Sequence, residues 1–428
     1  MIPAIKLLVP SLLMACMVPV AQGGDFSLKQ GDRLAIIGDS ITEQKIYSVY
    51  LELYIVACAP KNDVLCMQYG WGGQWSGGFN GTMENNMMPW RPTVATFCFG
   101  MNDGQYRPFD PAIGSQFEKY TDSNVKRLVD SGSRVIVGTP GAVDTFTFHH
   151  ANVSAQLYNA SLEQLGMIAG KIAGKYQQTH ADLQSAMMEA MVKAKLAYGE
   201  AYAVCGGDGI HPAANGHLVM AYTFLRALGM KGDIGTLTVD WTGKCTATAG
   251  HTVTGSEKGI VRVVSERYPF CFGKTGDKLD NPDNARGFLP FLPFQKDLNR
   301  LMLVVRNLPG GQAQVKWGSA TKQFSREQLE NGINLADEFL DNPFSEPFAR
   351  VKQLVHEKQN FENQMVLGVL NGFHGINGMF KVNETVDPDV KAALDTIRMK
   401  LTVRQREMAT KAREAVKPVA HTIEITPL

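Results

Sequence analysis

The chain has 428 residues, of which 44% are hydrophobic and 19% charged. That balance excludes a disordered or fibrous protein, and the length exceeds what one ordinary domain needs. The formal net charge of +1 gives no field to steer the protein toward nucleic acid or an anionic membrane, so recognition has to come from a local pocket.

Residues 1–23 read as an export leader. Lys6 supplies the positive end, Leu7 to Val20 is apolar but short for a bilayer, and Ala21-Gln22-Gly23 offers small residues for cleavage. The expected location is secreted or periplasmic. Leu13-Met14-Ala15-Cys16 allows an alternative, a lipoprotein anchored through Cys16. No later segment is long and apolar enough to cross a membrane.

After the leader the signals alternate. Leu34-Ala35-Ile36-Ile37 is a short apolar run bounded by glycine, hence a buried strand. Lys45 to Ala59 reads as a helix, Val64 to Gln68 as a strand, and Thr93 to Phe99 as a third strand. Pro111 to Ser131 is helical, Arg134 to Val137 is a fourth strand, and Ala151 to Tyr176, Gln184 to Tyr198 and Asn215 to Leu228 are helices. Strands separated by helices imply a parallel sheet covered on both faces, with ligands at the strands' carboxyl ends. From Gly229 the pattern changes. Thr236 to Trp241, Ile260 to Val264, Leu301 to Val305 and Ala313 to Trp317 suggest a small β-rich unit over 231–320. A helical region follows over 321–428, in which Glu346 to Val369 and Val390 to Val416 can pair as an antiparallel hairpin and support a homo-oligomer.

Seven cysteines are present, and six remain after the leader: Cys58, Cys66, Cys98, Cys205, Cys245 and Cys271. An even number permits disulfides, with Cys245–Cys271 the first candidate pair. Their low density favours buried thiols with at most one or two bridges. There is no C-x-x-C and no His/Cys cluster with zinc spacing, so neither metal nor cofactor is expected.

The chemistry concentrates at strand ends. Gly38-Asp39-Ser40 follows the first strand and precedes a helix, whose amino terminus favours a developing negative charge. A serine hydroxyl needs a base, and the base an orienting carboxylate. Asp208-Gly209-Ile210-His211 provides both in one tight turn. Oxyanion donors are available in Gly70-Trp71-Gly72-Gly73, where a backbone N–H can approach closely, and in Asn102 of Gly100-Met101-Asn102-Asp103. Singly, each block is also explained by turn chemistry.

Together, in this order and at these strand ends, the four blocks resemble the SGNH (GDSL-type) hydrolase family over residues 33–227. The resemblance implies a flavodoxin-like α/β/α sandwich with a parallel sheet for residues 24–230. It implies Ser40 as nucleophile, His211 as base and Asp208 as its partner, with Ser40, Gly73 and Asn102 forming the oxyanion hole. Some positions depart from the family. Gln68 stands where it often has Asn, Gly72 competes with Gly73, and Gln74 and Trp75 replace the commoner Asp-Thr. Asp39, Trp71, Gln74 and Trp75 are therefore candidate substrate contacts. Trp90 and His149-His150 lie nearby without an assigned role. The rival α/β-hydrolase fold lacks its G-x-S-x-G elbow here. The expected activity is hydrolysis of short acyl esters, chiefly O-acetyl esters on extracellular carbohydrate. A lipase, lysophospholipase or thioesterase is the enzymatic alternative. A non-catalytic glycan- or partner-binding protein on a hydrolase scaffold is the alternative of another class.

Overall fold

The structure, a computed structural model, describes residues 26–60, 63–273, 278–382 and 385–428. The leader and Cys16 lie outside the described residues.

Five strands form one all-parallel sheet: β1 (Arg33–Gly38), β2 (Leu65–Gly70), β3 (Val94–Cys98), β4 (Arg134–Gly138) and β5 (Thr179–Ala181). Their order is β2-β1-β3-β4-β5, the flavodoxin-like arrangement. The central strands β1 and β4 carry apolar runs, Leu34 to Ile37 and Val135 to Val137, because both faces are covered. Alternate side chains feed two cores, Leu34 and Ile36 into one and Ala35 and Ile37 into the other. The strand β5 was not foreseen; three residues, two of them polar, carry no strand pattern.

The covering helices are α1 (Ser40–Glu43), α2 (Tyr47–Leu53), α3 (Ser76–Asn86), α4 (Pro111–Asp130), α5 (Ala155–Lys175), α6 (Leu183–Tyr198) and α7 (Ala214–Ala227). The expected Lys45 to Ala59 helix is present from Tyr47 to Cys58, as α2 and a π-helical turn that continues it. Lys45 takes a left-handed φ of 55° ahead of α2, and Tyr54–Cys58 winds as a π-helix. Helix α3 has a glycine-rich sequence with little apolar periodicity, and tertiary contacts hold it. The Asp103 carboxylate accepts the Ser76 N–H at 3.1 Å, and the Asn124 amide donates to the Ser76 carbonyl at 2.8 Å.

Beyond α7, strands Asp233–Asp240 and Arg300–Arg306 pair in parallel at the centre of a four-stranded sheet. A second sheet is antiparallel, and its central strand is Val419–Pro427, flanked by Gln312–Trp317 and Ile260–Ser265. The expected division between 231–320 and 321–428 is therefore not the one the strands follow. His421, Ile423 and Ile425 alternate inward at period two, so the end of the chain completes the β unit. A buried chain of donors runs through it. Trp317 Nε1–H donates to His421 Nδ1 at 3.1 Å, leaving His421 Nε2–H for Ser265 Oγ at 2.9 Å. Ser265 then donates to His251 Nδ1 at 2.7 Å, and His251 Nε2–H reaches the Ile234 carbonyl at 3.0 Å. Only neutral rings satisfy this chain; burial pushes His421 down to about 4 and lowers His251 as well. The six cysteines are all buried and free, so Cys245 and Cys271 form no bridge.

The helices Ser345–Asn363 and Pro388–Glu414 do pack antiparallel: Glu362 meets Gln405, and Phe373, in the short helix Gly372–Met379 that follows the first, meets Arg398 further back along the second. Their inner faces close the edge of the large sheet. Among the described residues strand β2 has no strand neighbour on its outer side, yet its Gln68 N–H donates to Glu362 at 3.1 Å and its Cys66 carbonyl accepts from Gln405 at 2.9 Å. Side chains thus stand in for a missing strand. Lys358 lies between Glu52 at 2.9 Å and Glu362 at 2.6 Å, with all three side chains at 3% exposure or less. Burial works against the Lys358 charge, but the two carboxylates outweigh it and hold the ammonium above its ordinary range. Ile397, Met399 and Val403 remain exposed on the second helix.

Candidate active site

The carboxyl ends of β1, β2 and β3 deliver three of the four blocks to one edge. The Asp39 side chain accepts the Ile41 N–H at 3.0 Å and caps the turn that begins at Ser40. Asp39, expected as a substrate contact, is only 4% exposed and lies beneath the turn that begins at Ser40. Burial pushes its carboxyl up to about 7. The helix after Ser40 is a single turn rather than the long one expected, so donors at this end are local N–H groups with little macrodipole behind them.

The half-buried Ser40 hydroxyl lies 2.8 Å from His211 Nε2, and His211 Nδ1 lies 2.6 Å from Asp208 Oδ2. The other Asp208 oxygen accepts the N–H groups of Ile210 and His211, each at 2.9 Å. Burial works against the Asp208 charge, yet these N–H groups and the imidazole hold its carboxyl below the usual range. The geometry leaves Nε2 free to take the serine proton while Nδ1–H stays on the carboxylate.

The turn carrying Asp208 and His211 is itself clamped. Asp144 N–H donates to the Gly209 carbonyl at 2.8 Å, and Thr147 Oγ donates to the Gly206 carbonyl at 2.7 Å. Asp144 is fully buried; its carboxylate takes Lys195 at 2.8 Å and the Val204 N–H at 2.9 Å. Gly206 has φ +78°, and a Cβ there would run into the His211 carbonyl, so only glycine lets the turn fold back on itself. Nothing local in the sequence marked Asp144 or Lys195.

Hydrogen bonds also join the oxyanion blocks. Trp71 N–H donates to the Gly38 carbonyl at 3.2 Å, and Gln74 N–H to the Trp71 carbonyl at 3.1 Å. Asn102 Nδ2 then donates to the Gln74 carbonyl at 2.8 Å. The Asn102 amide is thereby tied to the loop that carries Gly73, which is exposed and takes φ +68° with open space where a Cβ would go. The Gln74 side chain reaches back over Gly78 of α3. The Trp75 ring covers Gly77 and meets Tyr120 edge-on at 5.2 Å. Trp71 is half-buried. Trp90 belongs to the core, 6.3 Å from Tyr69. His150 stacks on Tyr106 at 5.3 Å.

The fold that carries these residues is an α/β/α sandwich with C-terminal β and helical additions, and it has counterparts among solved structures. A gut microbial diltiazem-metabolizing enzyme superimposes with a TM-score of 0.75 over 95% of this chain and 100% of its own, at 21% identity. The acetylxylan esterase Axe2 from Geobacillus stearothermophilus gives a TM-score of 0.41 at 20% identity, over 48% of this chain and 97% of Axe2. LAE5, an alpha/beta hydrolase enzyme from the metagenome of Lake Arreo, gives 0.39 at 23% identity, over 47% of this chain and 96% of its own. The first of these shares the fold of the C-terminal additions as well as the sandwich. No family model and no curated protein matches the sequence.

Proposed function

We propose that this protein is a serine ester hydrolase of the SGNH type that works through an acyl-enzyme. The observation that carries this reading is the continuous relay Ser40 Oγ, His211 Nε2, His211 Nδ1, Asp208 Oδ2, at 2.8 and 2.6 Å. Ser40 attacks the ester carbonyl while His211 takes its proton. The oxyanion is received by the backbone N–H groups of Ser40 and Gly73 and by the second hydrogen of the Asn102 amide. His211 then protonates the departing alcohol and, on the return half, takes a proton from the water that releases the acid. The substrate class is a short acyl ester, foremost an O-acetyl group on an extracellular carbohydrate. The leader-like composition of residues 1–23 and the half-buried Trp71 and Trp75 beside the glycine loop support it.

The test is hydrolysis of p-nitrophenyl acetate, longer acyl homologues and acetylated polysaccharide by the purified protein beside Ser40→Ala. The expected result is turnover that falls by several orders of magnitude in the variant and that declines with acyl length. Equal rates in parent and variant would remove Ser40 from the mechanism. Activity confined to long-chain esters would replace the acetylesterase with a lipase.

A further inference from the structure

The turn after Asn102 carries an unusual piece of backbone. Gln105 and Tyr106 are consecutive, neither is glycine, and both take left-handed φ values, 55° and 51°. Side-chain-bearing residues avoid this region, and such conformations persist where surrounding structure over-determines them. Here the surroundings are rings. Tyr106 stacks on Tyr158 at 5.0 Å and 22°, and on His150 at 5.3 Å and 27°. Phe148 stacks on Tyr158 at 5.7 Å and sits beneath Gly209 of the histidine turn. Tyr158 in turn donates its hydroxyl to the Met101 carbonyl. The raft therefore joins the Asn102 turn to the His211 turn.

What the raft holds is the Tyr106 hydroxyl. It lies 3.3 Å from Asn102 Oδ1. A carbonyl oxygen can only accept, so the phenol donates. Two of the sites of the Asn102 amide are then engaged, Oδ1 by Tyr106 and one Nδ2 hydrogen by the Gln74 carbonyl, which leaves the second Nδ2 hydrogen as the one that would meet the oxyanion. A hydrogen bond into the amide oxygen also polarises the N–H opposite, making it a better donor to an oxyanion.

We propose that Tyr106 is a positioning residue of the oxyanion hole, acting through Asn102. This rests on the acyl-enzyme reading above. Its backbone is held left-handed so that the hydroxyl can reach Oδ1, and the ring raft keeps it there.

Tyr106→Phe keeps the ring and removes only the hydroxyl. In the full chain it lowers kcat on p-nitrophenyl acetate roughly 3- to 10-fold, the range expected of one hydrogen bond. KM stays within about twofold, because the ground-state ester does not need the polarised donor. The melting temperature is unchanged. In an Asn102→Ala background the same substitution adds no further loss, since the group it acts through is gone. An unchanged kcat in Tyr106→Phe, or the same fold-loss with and without Asn102, overturns the assignment. A parent with no Ser40-dependent turnover instead overturns the acyl-enzyme reading itself, so the two failures are told apart by the parent alone.

Discussion

The Glu362 carboxylate accepts the backbone N–H of Gln68 at 3.1 Å, across 294 positions of sequence. A helix from the far end of the chain thus completes the hydrogen bonding of the edge strand that leads into the glycine loop. The C-terminal helices are part of the sandwich, and their buried ions can be probed directly. Lys358→Met leaves Glu52 and Glu362 buried against each other without a counter-charge. The expected loss is about 3–5 kcal/mol at neutral pH. Urea unfolding at pH 7.5, with the protein's remaining turnover per folded molecule, checks it. A variant as stable as the parent would mean the ion cluster contributes nothing to edge closure.

The relay makes a separate demand on Asp208. Asp208→Asn preserves shape and leaves Ser40 in place, but an amide does not hold the imidazole in the required tautomer. The expected result is a fall in kcat of about ten-thousand-fold with the fold intact. Steady-state kinetics with circular dichroism decides it, and a loss under tenfold would show that the carboxylate is idle.

Asp39 should leave a mark on stability as a function of pH. Burial raises its carboxyl from 3.8 to about 7 in the folded protein. The folded state therefore binds more protons than the unfolded chain between those values, and its contribution declines as pH rises through that window. Asp39→Asn keeps an oxygen for the Ile41 N–H and cannot ionise. The melting temperature of the variant relative to the parent should climb by a few degrees between pH 4.5 and pH 8. A flat difference across this range would mean that Asp39 is not a buried, raised acid.

The His251–Ser265–His421 chain predicts the opposite slope. Burial depresses His421 from 6.5 to about 4 in the folded protein. Between these values the unfolded chain binds the extra proton, so this contribution is complete above about pH 6.5 and is lost as pH falls through 4. His421→Gln can still meet Trp317 and Ser265 but does not titrate. Its melting temperature should lie below the parent's at pH 7, and the gap should narrow toward pH 4. Thermal melts at half-unit intervals test this, and a gap that widens on acidification would contradict it.

The sequence alone determined the parallel sandwich and pointed to Ser40, Asp208 and His211 as one candidate site. Strands buried on both faces tend to be apolar runs, and the proposed site uses a small number of residue types at strand ends, so both leave a local trace. Four of the five sheet strands carried such a trace, as did Ser40, Asp208, His211, Gly73 and Asn102. Only the tertiary structure decided the rest. The three-residue β5 and the glycine-rich α3 depend on contacts from elsewhere in the chain. The last strand, Val419–Pro427, finds its partners more than 100 residues upstream, so no local pattern could place it at the centre of a sheet. Asp39 beneath Ser40, Asp144 under the histidine turn, Tyr106 on Asn102 and Glu362 on Gln68 share the same reason. Their roles lie in which distant backbone or side-chain group they meet, and that information exists only once the chain has folded.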